Sequence, residues 1–127
     1  MNQDMNGLWP ALLTPVSKGG ELDTARMLAH ARHMLDSGCD GVTIFGTTSE
    51  GPAFTNGERK ALLAALIASG LRPDQIVVTT SCSALADAID LGRHAIAQGC
   101  LRQLFMPPFY FRNPRAAGII ESVRTVV

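Results

Sequence analysis

Val42-Thr43-Ile44-Phe45-Gly46-Thr47-Thr48-Ser49-Glu50 is a short apolar run of β type that stops at a glycine, with three hydroxyls and a carboxylate behind it. A parallel strand ending this way directs Thr47, Thr48 and the nearby backbone N–H groups into the space beyond its carboxyl end. Open and closed α/β folds both place ligands there. Hydroxyls beside free amides suit a small carboxylate and need no cationic side chain.

The same switch from a short apolar run to a helical period recurs on both sides of this stretch. Strands are expected near 8–13, 41–45, 76–80 and 101–106. Asp23 is a candidate N-cap for a helix over roughly 24–37, with Met27, Ala31, Met34 and Leu35 on one face. Thr55-Asn56-Gly57-Glu58 fits a capping box. The helix behind it runs to about Ser69, turning Leu62, Ala65, Leu66 and Ser69 inward. Ser83 can cap a third helix of about 84–98, with a stripe of Leu85, Ala88, Ile89, Gly92, Ala95 and Ile96. Asn113-Pro114 supplies a cap and a first-turn proline for a fourth helix from about 115.

Four strand–helix units with apolar strands imply a parallel sheet covered by helices. Two architectures follow: a doubly wound flavodoxin-like sheet, or half of an eight-unit barrel of about 250 residues. Periodicity does not choose between them. The loops favour the barrel, because the unusual residues (Thr14, Gly46–Glu50, Ser81-Cys82-Ser83 and Phe109-Tyr110-Phe111) all follow a strand end. Clustering on one rim is how barrel enzymes assemble a site. The fold class read here is therefore α/β, with about four βα units in one domain spanning 1–127.

Composition narrows the function. The 127 residues are 46% hydrophobic and 17% charged, a globular rather than a disordered balance. Eleven basic and eleven acidic residues cancel, so nothing draws nucleic acid or an anionic membrane in general. The start, Met-Asn-Gln-Asp-Met, lacks a secretory pattern, and Gly, Pro or charge breaks every apolar run. A cytoplasmic protein is expected, with no nucleic-acid or membrane partner. Cys39, Cys82 and Cys100 are widely spaced and read as reduced thiols. His30 and His33 are three apart on a helix, but no ligand at a supporting spacing completes a metal site; His94 reads as an ordinary helix-surface residue too.

Ala11-Leu12-Leu13-Thr14-Pro15, Gly38-Cys39-Asp40-Gly41, Gly46-Thr47-Thr48-Ser49-Glu50, Thr55 with Glu58-Arg59, and Pro108-Phe109-Tyr110 occur in that order. The pattern resembles the dihydrodipicolinate synthase/N-acetylneuraminate lyase family of pyruvate-dependent aldolases, from about Leu8 to the end of the chain. That resemblance implies the amino-terminal half of a (β/α)8 TIM barrel and a class I aldolase that binds pyruvate or a related 2-keto acid through a Schiff base. It implies no cofactor or metal, and a homo-oligomer in the full-length form. By resemblance Thr47 and Thr48 hold the pyruvate carboxylate. Thr47 also joins a proton relay, and Tyr110 matches a relay tyrosine that in some members enters a neighbouring subunit's site.

Two departures accompany the resemblance. Ser49 stands where most members have glycine, which requires that the position need no positive φ. The chain has only two lysines, Lys18 in a Gly-rich loop and Lys60 inside a helix, and neither belongs to a strand end. The Schiff-base lysine is thus expected in sequence beyond Val127, leaving this chain an inactive fragment or truncated product.

Plainer readings stand beside these. Thr47 and Thr48 could cap a loop, Glu50 could accept backbone donors, and Tyr110 could be a packing or interface residue. Arg112 and Arg115 could meet an anion or simply lie exposed. A non-catalytic half-barrel that binds a carboxylate or self-associates through open edges is the alternative function. A flavodoxin-like nucleotide binder lacks a phosphate fingerprint.

Overall fold

In a computed structural model of the chain, residues 6–127 are described; the Met1–Met5 start, read above as lacking a leader, lies outside the described residues. Strands β1 (Val42–Ile44), β2 (Ile76–Thr79) and β3 (Arg102–Leu104) form one parallel sheet in that order. Val42 pairs with Ile76 and Val77 with Arg102. Every residue of β1 and β2 is buried, as expected of parallel strands covered on both faces. Residues 10–12 run parallel along the free edge of β1, where the Leu12 N–H donates to the Thr43 carbonyl (2.9 Å) and the Thr43 N–H to the Pro10 carbonyl (2.8 Å).

Helices α1 (Thr24–Asp36), α2 (Asn56–Ala68), α3 (Leu85–Ala97) and α4 (Ala116–Val126) alternate with these segments. Each packs on the next, α1 on α2, α2 on α3 and α3 on α4. Strand order therefore follows chain order, and the helices form one continuous outer layer. A doubly wound sheet reverses its strand order and splits its helices between two faces. Neither happens here, so the four units are a wall of a (β/α)8 barrel. Leu12, Met27, Val42, Ile44, Leu62, Leu66, Ile76, Val78 and Ala95 fill the core between wall and helices.

Local chemistry sets the helix starts. Asp23 caps α1, accepting from the Arg26 N–H at 2.9 Å. Thr55 and Glu58 close a reciprocal capping box on α2, and the hydrogen bonds from Thr55 hold the Glu58 carboxyl below its usual value.

Several expected boundaries differ from the observed ones. The first strand, expected over 8–13, is reduced to a single bridge at Ala11, because Pro10 has no N–H to donate. The second strand ends at Ile44 rather than 45, since Phe45 turns out of it at φ 62°. The third and fourth also end early, at Thr79 and Leu104. Ser83 does not cap α3; Ala84 holds the cap position and offers no side-chain bond. Asn113 does not cap α4 either. It adopts φ 50° in the preceding turn, and Arg115 takes the cap position. The inward face of α2 carries Arg59, Leu62, Leu63 and Leu66, while Ser69 is exposed and returns its hydroxyl to the Ala65 carbonyl. On α3, Leu91 is buried and Ile96 is exposed.

Candidate functional site

The loop after β1 is built from backbone turns that only some residues tolerate. Phe45 and Glu50 both adopt left-handed φ, 62° and 52°, and bring the chain back on itself. The Glu50 N–H donates to the Thr47 carbonyl (3.0 Å) and the Gly51 N–H to the Gly46 carbonyl (3.1 Å). Gly51 lies so close to Phe45 that a Cβ on it would stand 1.9 Å from the Phe45 carbonyl oxygen. No side chain fits there.

Ser49 has no left-handed φ, so a serine sits at this position without backbone strain, as the departure from the family pattern required. It is fully buried and its hydroxyl donates to the Leu12 carbonyl. The Thr14 hydroxyl donates in return to the Ser49 carbonyl at 2.7 Å. These two bonds staple the loop to the first unit and leave Thr47 and Thr48 exposed at its tip. Glu50 shapes the loop through its backbone conformation.

Arg59 braces the site from behind. It rises from the first turn of α2, is 1% exposed, and donates to the Thr79 and Ser81 carbonyls at the end of β2. Its guanidinium lies 5.3 Å from the Phe45 ring centroid and 3.3 Å from the Cys82 sulfur. Burial pulls its pKa down, and the neighbouring Cys82 opposes that shift. A cleft of about 280 Å3 opens on its far side, between Pro52, Asn56, Cys82 and Asp87. The Ser81 hydroxyl accepts from the Met106 N–H (2.8 Å), joining the third unit to the fourth.

Between these braces lies a small pocket of about 60 Å3 lined by Phe45, Gly46, Thr47, Pro52, Thr79, Ser81, Leu104 and Met106. Not one of those side chains is charged. Its polar groups are hydroxyls and backbone, a setting that can orient an oxygen-rich anion without neutralising it by an ion pair.

Of the residues singled out from sequence, Thr47 lines this pocket, and Thr48 is exposed beside it on the same loop. Tyr110 does not line it. Its ring is 75% exposed and packs edge-to-face on Phe111 at 5.5 Å. Arg112 and Arg115 are exposed as well. Lys60 is ion-paired with Asp90 on the helix layer and Lys18 is exposed in the turn before α1, so neither faces the pocket. Cys39 and Cys100 are buried and Cys82 is half-buried, all three unbridged. Among the described residues no three His, Cys, Asp or Glu side chains group to hold a metal ion, and no helix is long and apolar enough to cross a membrane.

Thr79 was not picked out from sequence, and Arg59 was quoted there only within the Glu58-Arg59 pair of the family pattern. Arg59 carried a legible signal, since it shares the three- and four-residue spacing of Leu62, Leu63 and Leu66 and so faces inward. Thr79 carried no signal of its own, since the expected strand ran on to residue 80.

The dihydrodipicolinate synthetase family model matches residues 4–127. An uncharacterised DapA-like lyase of Chloroflexus aurantiacus is 37% identical over 122 residues, covering 94% of this chain and 40% of that protein. A 4-hydroxy-tetrahydrodipicolinate synthase of Mycolicibacterium paratuberculosis is 31% identical over 91% of this chain and 38% of its own length. The crystal structure of dihydrodipicolinate synthase from Agrobacterium tumefaciens superposes with a TM-score of 0.88 at 37% identity, over 94% of this chain and 42% of that one. The 2-keto 3-deoxygluconate aldolase from Picrophilus torridus shares the fold at a TM-score of 0.89 and 20% identity, over 97% of this chain and 44% of its own. The chain thus spans about 40% of the length of the relatives it matches, the amino-terminal half of their barrel. By sequence and by fold, this chain belongs to the dihydrodipicolinate synthetase family.

Proposed function

We propose that this chain is the keto-acid-holding half of a pyruvate-dependent class I aldolase or lyase, acting in the cytoplasm as part of a homo-oligomer when the barrel is complete. Thr47 and Thr48 grip the carboxylate of pyruvate or a related 2-keto acid, and Thr47 passes protons in a relay that Tyr110 extends. The observation that carries this reading is the placement of Thr47 in an uncharged pocket at the carboxyl end of parallel strands, on a loop whose Ser49 is hydrogen-bonded to Leu12 and Thr14.

In such a reaction a lysine amine adds to the keto carbon and expels water, giving an iminium ion. Loss of a C3 proton gives an enamine, which attacks the aldehyde partner. Proton transfers at both stages need a hydroxyl relay placed at hydrogen-bond reach. Lys18 and Lys60 lie away from the pocket, which supports a reading in which the imine-forming lysine comes from another part of a complete barrel and the isolated chain forms no adduct.

Borohydride reduction in the presence of pyruvate tests this. A complete barrel carrying this half should yield a reduced pyruvate–lysine adduct and the isolated chain none. Failure of the complete barrel to be trapped would refute the aldolase reading, and an adduct on Lys18 or Lys60 would refute the lysine assignment.

A second reading, a self-associating half-barrel, is favoured by exposed apolar side chains at the sheet's outer edge and in the fourth loop. Leu104 on β3 is 51% exposed, and Leu13, Leu101 and Phe111 are exposed as well. Sedimentation of the isolated chain separates the two, because a monomer with cooperative unfolding argues against pairing.

A further inference from the structure

We infer that Thr79 is a further ligand-binding residue, donating its hydroxyl proton to an oxygen of the three-carbon 2-keto acid that Thr47 and Thr48 hold. This deepens the keto-acid reading above and rests on it. Thr79 is the last residue of β2 and is 4% exposed, and its Oγ1 has no hydrogen-bond partner. Buried hydroxyls are almost always paired, so an orphaned one in the same pocket as Thr47 has its hydrogen-bonding capacity still unused there.

The surroundings show where that capacity is offered. Thr79 lines the same small pocket as Thr47. Across it lies Gly46, where a Cβ would stand 3.5 Å from the Thr79 Oγ1, in ordinary van der Waals contact with it. Ser81, the other hydroxyl on this wall, accepts from the Met106 N–H, whereas the Thr79 Oγ1 has no hydrogen-bond partner of either kind. Arg59 fixes the backbone on both sides by donating to the Thr79 and Ser81 carbonyls. A ligand oxygen between Thr47 and Thr79 would meet one hydroxyl from each of two adjacent strand ends, held before it arrives.

The adjacent residue supplies an internal control. Thr80 is equally buried and its Oγ1 is equally without a partner. Successive strand residues face opposite sides, however, and Thr80 lines a separate gap with Ile96, Gln103 and Phe105 on the helix side. It has no access to the pocket of Thr47.

Calorimetric titration of the 127-residue chain with pyruvate, beside thermal unfolding of each variant, tests the assignment. Thr79→Val keeps the shape and removes the donor. It should weaken pyruvate binding by about three- to tenfold, the worth of one net hydrogen bond, and should not lower the unfolding temperature. Thr79→Ser should bind close to wild type, and Thr80→Val should bind as wild type. Unchanged binding in Thr79→Val would overturn the assignment while leaving the keto-acid reading intact. Equal weakening in Thr80→Val, weak binding in Thr79→Ser, or a less stable Thr79→Val would overturn it too, because each points to a structural role. A wild-type chain that binds no pyruvate would remove the keto-acid reading itself, and this inference with it.

Discussion

The loop after β1 and the loop after β3 leave the same rim of the same sheet, yet only the first is held. Thr14, Ser49, Gly46 and Gly51 tie residues 46–51 to the first unit and to themselves. Residues 109–115 are exposed throughout, and Tyr110 touches Phe111 rather than the pocket. The Met106 N–H bond to Ser81 is where the fourth unit leaves the site. A pocket built by neighbouring units can be complete within half a barrel.

The largest effect should come from crowding the held loop. Gly51→Ala puts a methyl into the Phe45 carbonyl, which a backbone pinned at both ends cannot yield to. The expected loss is about 4 kcal/mol by urea unfolding, beyond the ordinary range of single substitutions. A loss under 1 kcal/mol would mean that the loop is as yielding as its counterpart.

Arg59→Met should come next, at about 3 kcal/mol, because it strips the Thr79 and Ser81 carbonyls of buried donors. Arg59→Lys should recover little of this, since an ammonium cannot span both carbonyls as a planar fork does.

The contrast also has a boundary inside the fourth unit, at its base. Burial pushes the Cys100 thiol up to about 11 from 9.0, so the folded state retains its proton where the unfolded chain has lost it. The stabilising contribution is fully present below pH 9 and is lost as pH rises to about 11. An expected fall of about 2 kcal/mol over that window should vanish in Cys100→Ala. A wild-type chain with no fall over that window would mean that the start of β3 is as loose as the loop after it.

The smallest effects form a matched pair. Ser49→Ala removes the staple to Leu12 and should cost about 1 kcal/mol. Tyr110→Phe removes an exposed hydroxyl and should change stability by less than about 0.5 kcal/mol. Equal costs would erase the distinction between the loops.

What could be read in the chain follows from the same contrast. Capping chemistry is local, so Asp23 and the Thr55–Glu58 box placed α1 and α2 correctly. Ser83 and Asn113 looked equally good as caps, but Ala84 and Arg115 hold the cap positions, and Asn113 takes φ 50° in the turn before α4. The barrel reading from rim loops agrees with the observed strand order, which no period could supply. Thr47 was legible because a glycine and hydroxyls mark its strand end. Arg59 was legible only as an inward-facing residue and Thr79 not at all, because the carbonyl or cavity wall that lies opposite each is fixed only when α2 packs on β2.

The central claim is that the loop over 46–51 is a ready-made keto-acid grip while the loop after β3 is not. Two-dimensional amide NMR of the isotope-labelled chain during pyruvate titration tests it most directly. The expected result is shifts concentrated at Gly46–Gly51 and Thr79–Ser81, with Phe109–Asn113 unmoved and no covalent product. Shifts centred on Phe109–Asn113, or on Lys18 or Lys60 with the 46–51 loop silent, would contradict it.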